Sequence, residues 1–434
     1  MSRVLLIAEA ANPEWVSVPL IGWSLARAIA RRSPAHLITQ VRNRDALLRA
    51  GLVEGDDFTA IDSERFAAPL YRLGDVLRGG KGLGWTTIAA VGALSYYYFE
   101  WLVWQRFGDA IRRREFSLVH RITPVSPTTP SILAKRCARA GIPFILGPLN
   151  GGVPWPKEFQ SARRQEREWL SYLRGAYKLM PGYGSTLANS AAIIAGSRST
   201  LSEIPAHFQE KCVYVPENAV DPARFSAPAA QASQGVLRAC FVGRLVPYKG
   251  PDMLIEAVAP LVRAGRLRLD ILGDGPLMPV LRELVQQHDL QSGVTLHGWI
   301  AHEQLQAIMR ECQLLLFPSI REFGGGVVLE AMALGIVPVV VDYAGPAELV
   351  TDEVGFRVPL GERSKIIERL RATVSGICAE PQQLRAKSEA ARARVRDFFT
   401  WDVKARQVIE VYDWARTRHG KKPEFFLESL TPVT

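Results

Sequence analysis

Short apolar runs recur along the chain, separated by stretches whose apolar positions fall three and four apart. In the first half, residues 4–8, 36–41, 118–122, 143–146, 192–195 and 211–215 read as strands, and 16–31 as the first helix. The second half repeats the style, with strands expected at 237–242, 267–272, 294–296, 314–317, 337–341 and 355–358. Such alternation predicts parallel sheets covered by helices on both faces. Residues 221–235 have loop composition and little periodicity, which places the join there. The fold class expected is therefore α/β, with two doubly wound Rossmann-like domains facing each other across a cleft. Residues 1–220 form the first domain and 221–399 the second. A helix opens at Thr400-Trp401 and begins a terminal segment, 400–434.

One segment departs from the pattern. Between Gly82 and Trp104 the only formal charge is Glu100, and Tyr96-Tyr-Tyr-Phe99 and Trp101-Leu-Val-Trp104 lie within it. Arg112-Arg-Arg114 follows. A membrane span needs roughly 20 apolar residues, and the glycines, tyrosines and Glu100 make this a poor one. Two readings stay open: a helix buried on the first sheet, or an interfacial segment whose aromatic rings and arginines favour an anionic membrane surface. Peripheral membrane association is the expectation.

At 434 residues the chain exceeds a single core, and 48% hydrophobic with 22% charged residues describes a folded protein. The net charge of +10 admits nucleic acid, an anionic membrane or phosphorylated substrates. No zinc-finger or RRM-like pattern occurs, so nucleic acid is the weakest of these. The 5 cysteines form no CxxC pair and no Cys/His cluster, which argues for reduced thiols in a cytoplasmic protein and against a structural metal. The apolar stretch before Glu9 reads as a first strand better than as an export signal.

Chemistry concentrates where predicted strands end. Glu322-Phe-Gly324-Gly325-Gly326-Val327-Val-Leu-Glu330 separates the strands 314–317 and 337–341. Glycines let backbone approach a ligand, a helix N-terminus aims N–H groups at it, and a carboxylate accepts hydroxyl donors. Gly243-Arg244-Leu-Val-Pro-Tyr-Lys249 follows strand 237–242, so two cations stand over its end; they would stabilise a departing diphosphate, or, taken alone, are ordinary surface cations. Gly273-Asp-Gly-Pro276 ends a third strand and is also ordinary turn chemistry. Gly298-Trp299-Ile300 ends a fourth. There backbone could read a base edge and Trp299 line its pocket, or Trp299 could simply be core. A glycosidase reading of Glu322 and Glu330 is weaker: in a continuous helix they would lie roughly 12 Å apart, beyond the roughly 5–9.5 Å of such pairs. No Walker A sequence, no helix-opening G-x-G-x-x-G and no Asp-x-Asp occurs.

As a set, Gly243-Arg244 with Lys249, Gly273–Pro276, Glu322 to Glu330, Glu217-Asn-Ala-Val-Asp221 and Gly345-Pro-Ala-Glu348 resemble the retaining glycosyltransferases of family 4, which have the GT-B fold. Leu118-Val-His120 and Gly147-Pro-Leu-Asn-Gly151-Gly152 resemble members that assemble cell-surface polysaccharides. The family's glycine pair after its first strand is replaced here by Glu9-Ala-Ala-Asn12. The resemblance implies a nucleotide-sugar donor and a lipid-linked or membrane-proximal glycan acceptor, with no cofactor and no metal. It implies that Arg244 and Lys249 neutralise the diphosphate, Glu330 holds the ribose, and Glu322 binds the donor sugar. The backbone at Gly324–Val327 would lie near sugar and phosphate. His120 would stand beside the donor sugar, unless it is a core histidine at a strand end. Asn12, Gly151 and Gly152 would meet the acceptor. A sugar-nucleotide epimerase and a non-catalytic scaffold of the same fold are the rival readings.

Overall fold

The computed structural model describes residues 3–64, 85–159, 176–225, 235–417 and 420–426. The chain divides into two compact units. The first comprises Met1–Gly152, Arg163–Glu217 and Trp401–Thr434, and the second Val153–Ala162 and Asn218–Thr400. The boundary expected at residue 220 thus has an addition: the stretch after Gly152 belongs to the second unit. Part of the expected join, 226–234, lies outside the described residues, as does 82–84 of the apolar segment.

The first unit holds a 7-stranded sheet made of β1 (Arg3–Ala8), β2 (Ala35–Gln40), β3 (Phe58–Ile61), β4 (Phe116–Thr123), β5 (Phe144–Leu149), β6 (Ala192–Ala195) and β7 (Cys212–Tyr214). Its order is β3-β2-β1-β4-β5-β6-β7, and every pairing is parallel. The strands are apolar on both faces because both faces are covered. On one face Leu25 and Ile29 of helix Val18–Ala30 pack with Val408, Val411 and Tyr412 of helix Trp401–Thr417. On the other, Tyr96, Phe99 and Val103 of helix Trp85–Arg112 pack with Leu133 of helix Ile132–Arg139 and Leu187 of helix Tyr183–Asn189. The sequence pattern missed β3, an edge strand of four residues between polar turns.

The second unit holds a 6-stranded parallel sheet, β8 (Leu237–Val242), β9 (Leu267–Leu272), β10 (Val294–Gly298), β11 (Leu314–Phe317), β12 (Val337–Asp342) and β13 (Phe356–Pro359), in the order β10-β9-β8-β11-β12-β13. Its βαβ unit from β11 through helix Gly326–Leu334 to β12 is the one the triple glycine announced. The five cysteines are free.

Helix Trp85–Arg112 resolves the puzzle of its lone charge. Glu100 is fully buried. Its carboxylate accepts from Ser131 Oγ at 2.6 Å, from Ile132 N at 2.7 Å and from Leu133 N at 3.3 Å. It therefore caps the first turn of helix Ile132–Arg139 from another helix, satisfying donors that no intrahelical carbonyl reaches. From Ser95 onward the side chains support the buried-helix reading, with Trp101 exposed. Among the described residues no helix is long and apolar enough to cross a membrane.

Removing that carboxylate strands three donors in the core. Glu100→Ala is expected to cost about 3 kcal/mol of unfolding free energy and Glu100→Gln clearly less, because an amide oxygen still accepts. Urea denaturation of the three proteins measures it; equal stability of wild type and Glu100→Ala would refute the cap.

Candidate active site at the carboxyl edge of the second sheet

In the second sheet the connections run from β8 outward through β9 to β10, then return to β11 on the other side of β8. The loops after β8 and β11 therefore leave the sheet in opposite directions. A crevice opens at such a point, beyond the carboxyl ends of the strands. The expected site residues of this unit lie on the loops of that edge.

The loop after β8 carries Gly243 and Arg244, then a turn Pro247–Lys249 closed by the left-handed Gly250. Gly243 itself has φ 154°, and Arg244 is exposed. Gly273, after β9, has φ 144°, and a Cβ there would lie 1.9 Å from the Gly243 carbonyl oxygen. Only glycine lets these two loops meet. The loop after β11 carries Glu322. Lys249 Nζ donates to Glu322 Oε2 at 2.6 Å across the crevice, with 16% and 20% of the two side chains exposed. The ammonium also lies 5.1 Å from the centre of the Phe317 ring. The two loops are pinned by backbone as well: the Tyr248 carbonyl accepts from Ile320 N at 2.9 Å and from Ser319 Oγ at 3.2 Å.

Helix Gly326–Leu334 begins next, after left-handed Gly325. Val328 N donates to the Gly325 carbonyl at 2.9 Å, and the amides before it in the first turn have no carbonyl within the helix to bond. Glu330 is half-buried one turn further along it. The loop after β12 closes over the turn: Gly345 N donates to the Glu322 carbonyl at 3.2 Å, and a Cβ at Gly345 would stand 2.1 Å from the Phe323 oxygen. The structure thus brings Gly243, Lys249, Gly273, Glu322 and Gly324–Val327 to one edge. Gly298, at the end of β10, accepts from Gly273 N at 2.8 Å. Trp299 beside it is 77% exposed, so the core reading of that tryptophan is corrected. Ile300 is half-buried.

The expected residues of the first unit fare differently. His120 is fully buried in β4. Its Nε2 lies 2.6 Å from the Gly147 carbonyl oxygen, which can only accept, so Nε2 carries the proton. Nδ1 then accepts from the Tyr412 hydroxyl at 2.5 Å. Both nitrogens are used within the fold, which corrects the expectation of a histidine open to a sugar. β4 is a central strand buried on both faces, so a side chain at its middle faces helices. Asn12 is buried as well, and its Oδ1 accepts from Glu14 N at 2.9 Å. Gly151 and Gly152 are half-buried, and Gly151 N donates to Thr200 Oγ1 at 3.2 Å.

Sequence reasoning missed Trp155 and Arg321. The Arg321 guanidinium lies 5.0 Å from the centre of the Trp155 ring, beside Glu322. Nothing in the local pattern at 153–156 points to the strand ends of a sheet assembled from residues after 236.

The geometry defines a class: two parallel α/β sheets, one with a cation facing a carboxylate at its switch point. Residues 228–375 match the family model for glycosyl transferases group 1. The chain carries a domain of that family in a GT-B fold, as the motifs between Gly243 and Glu348 led one to expect. It is 28% identical to the phosphatidylinositol N-acetylglucosaminyltransferase gpi3 subunit of Schizosaccharomyces pombe, over 47% of this chain and 44% of the relative. It is 30% identical to the putative colanic acid biosynthesis glycosyltransferase WcaL of Escherichia coli, over 44% of this chain and 48% of the relative. The chain spans about half the length of these curated relatives. The solved structure of Anabaena Alr3699/HepE in complex with UDP and glucose shares the fold, with a TM-score of 0.57 and 17% identity over 95% of this chain and 100% of that one.

Two expectations follow. Burial lowers the His120 pKa from 6.5 to about 4. The unfolded chain then takes up a proton more readily than the folded one, so this stabilisation is complete above about pH 6.5 and is lost as pH falls towards 4. Between pH 7 and pH 4 wild type should lose about 3 kcal/mol more unfolding free energy than His120→Asn; parallel losses would refute it. For the ion pair, a double-mutant cycle with Lys249→Met and Glu322→Gln should give a coupling of about 1–2 kcal/mol, given partial exposure. A coupling near zero would mean the pair is not formed in solution.

Proposed function

We propose that this protein is a retaining, metal-independent glycosyltransferase. It would move a sugar from a nucleoside-diphosphate donor to a lipid-linked or membrane-proximal glycan in surface polysaccharide biosynthesis. The observation that carries the reading is the Lys249–Glu322 pair spanning the switch point, with Arg244 on the same loop. Cations at this edge suit a diphosphate, and the charge that develops as it departs favours them further. A carboxylate within reach of the same space suits sugar hydroxyls. The amides of Gly324–Val327 suit a phosphate or sugar oxygen, and Glu330 one turn along suits the ribose. Trp299 and Ile300, at the end of β10, would border the base. The relatives' names support transfer of a sugar onto lipid or polysaccharide, and UDP with glucose in the HepE structure supports the donor class.

In this mechanism the bond from the anomeric carbon to the diphosphate breaks while the acceptor hydroxyl oxygen bonds the same face. The hydroxyl proton passes to the departing phosphate oxygen. No protein base is needed, and Arg244 and Lys249 do the work assigned elsewhere to a divalent ion. The first unit would take the acceptor, with Gly151 and Gly152 in contact with it. Peripheral membrane association belongs to the same proposal: helix Trp85–Arg112 exposes Trp101 and runs into the basic Arg112–Arg114.

Thermal-shift titration with nucleoside diphosphates and their sugars tests the donor site first. A ligand at 100 times its Kd adds about 2.7 kcal/mol, and no shift with any of them would end the reading. Glu322→Gln should then lower kcat/KM by about 30-fold or more while leaving nucleotide affinity within about threefold. Glu330→Gln should weaken nucleotide binding by about tenfold. Equal nucleotide affinity in wild type and Glu330→Gln would overturn this division of roles.

A further inference from the structure

Trp155 lies in a segment, 153–159, that belongs to the second unit although it precedes that unit's first strand by some length of chain. Trp155 is only 9% exposed. The Arg321 guanidinium stands 5.0 Å from its ring centre, and the Tyr248 ring meets it edge-on at 6.1 Å and 89°. The segment is also held by its backbone. Arg321 Nε donates to the Val153 carbonyl at 3.3 Å, and the Tyr343 hydroxyl donates to the Pro154 carbonyl at 3.0 Å. These contacts come from the loops after β8, β11 and β12. Tyr248 and Arg321 are the residues immediately before Lys249 and Glu322.

We infer that Trp155 is a positioning residue of the donor site. It touches the chain neighbours of both ends of the Lys249–Glu322 pair, one through an edge-to-face ring contact and the other through a cation–π contact. Its rigid ring sets the separation of the loops after β8 and β11, and with it where the ammonium and the carboxylate stand. The indole acts through these neighbours and donates nothing to the reaction. The segment starts directly after Gly151-Gly152, so the loop given above to the acceptor continues covalently into the support of the donor pair. The inference rests on the donor reading of this edge.

The test compares wild type with Trp155→Phe, which keeps a ring between Tyr248 and Arg321, and Trp155→Leu, which keeps apolar bulk without a π face. Affinities for UDP, GDP and ADP are measured by calorimetry on the full chain. For whichever nucleotide wild type binds, Trp155→Leu should bind about tenfold more weakly and Trp155→Phe within about threefold. A tryptophan that only fills space would be served by leucine, so wild-type affinity in Trp155→Leu overturns the inference and leaves the donor reading intact. Should Trp155→Leu fail to fold, Arg321→Met removes the stacking cation from the opposite side and is expected to show the same tenfold loss; wild-type affinity there counts against the inference. If wild type binds none of the three nucleotides, the donor reading itself fails and this inference with it.

Discussion

The reversal of strand order between β8 and β11 is the constraint from which the candidate site follows. Parallel strands end with their carboxyl termini on one edge, so every loop that leaves there is available to a ligand. Only at the reversal do two neighbouring loops turn away from each other and leave room between them. Lys249 stands on one and Glu322 on the other, 2.6 Å apart. Had the connections continued in a single direction, a helix crossing would have filled that space. The close glycine contacts belong to the same constraint. Gly273 lets the loop after β9 lie against Gly243, and Gly345 lets the loop after β12 lie against Phe323. The walls of the crevice are thin because they are backbone.

The sheets were legible in the sequence because parallel strands are buried on both faces and read as uninterrupted apolar runs. β3 was not, since an edge strand of Phe58-Thr-Ala-Ile61 carries too little apolar surface to stand out. The site in the second unit was legible for a different reason. A glycine or charge that ends an apolar run must sit at the carboxyl edge of a parallel sheet, so Gly243, Gly273 and Glu322 could be placed by rank in the chain. The same logic failed for His120. It lies within β4 and not beyond its end, and whether such a side chain faces ligand or helix depends on Tyr412, far along the chain. Trp155 was illegible for a related reason: its partners Tyr248, Arg321 and Tyr343 come from three loops of a sheet assembled later in the chain.

Glu100 and His120 in the first unit differ from the groups at the carboxyl edge of the second sheet in what they leave for a ligand. In the first unit the buried carboxylate of Glu100 holds three donors, and His120 uses both nitrogens on Tyr412 and Gly147. Groups so fully bonded specify packing and have little left for a ligand. At the carboxyl edge of the second sheet Lys249 and Glu322 stay partly exposed, Arg244 is exposed, and Trp299 stands 77% exposed at the end of β10. A cation, a carboxylate and a large aromatic ring accessible on adjoining loops add nothing to the core, and the exposed ring forgoes apolar burial. Such local departures from the rules that govern the rest of a fold mark functional sites. Trp155 fits that pattern as the member that is buried: it holds the loops so that their exposed charges keep a defined place.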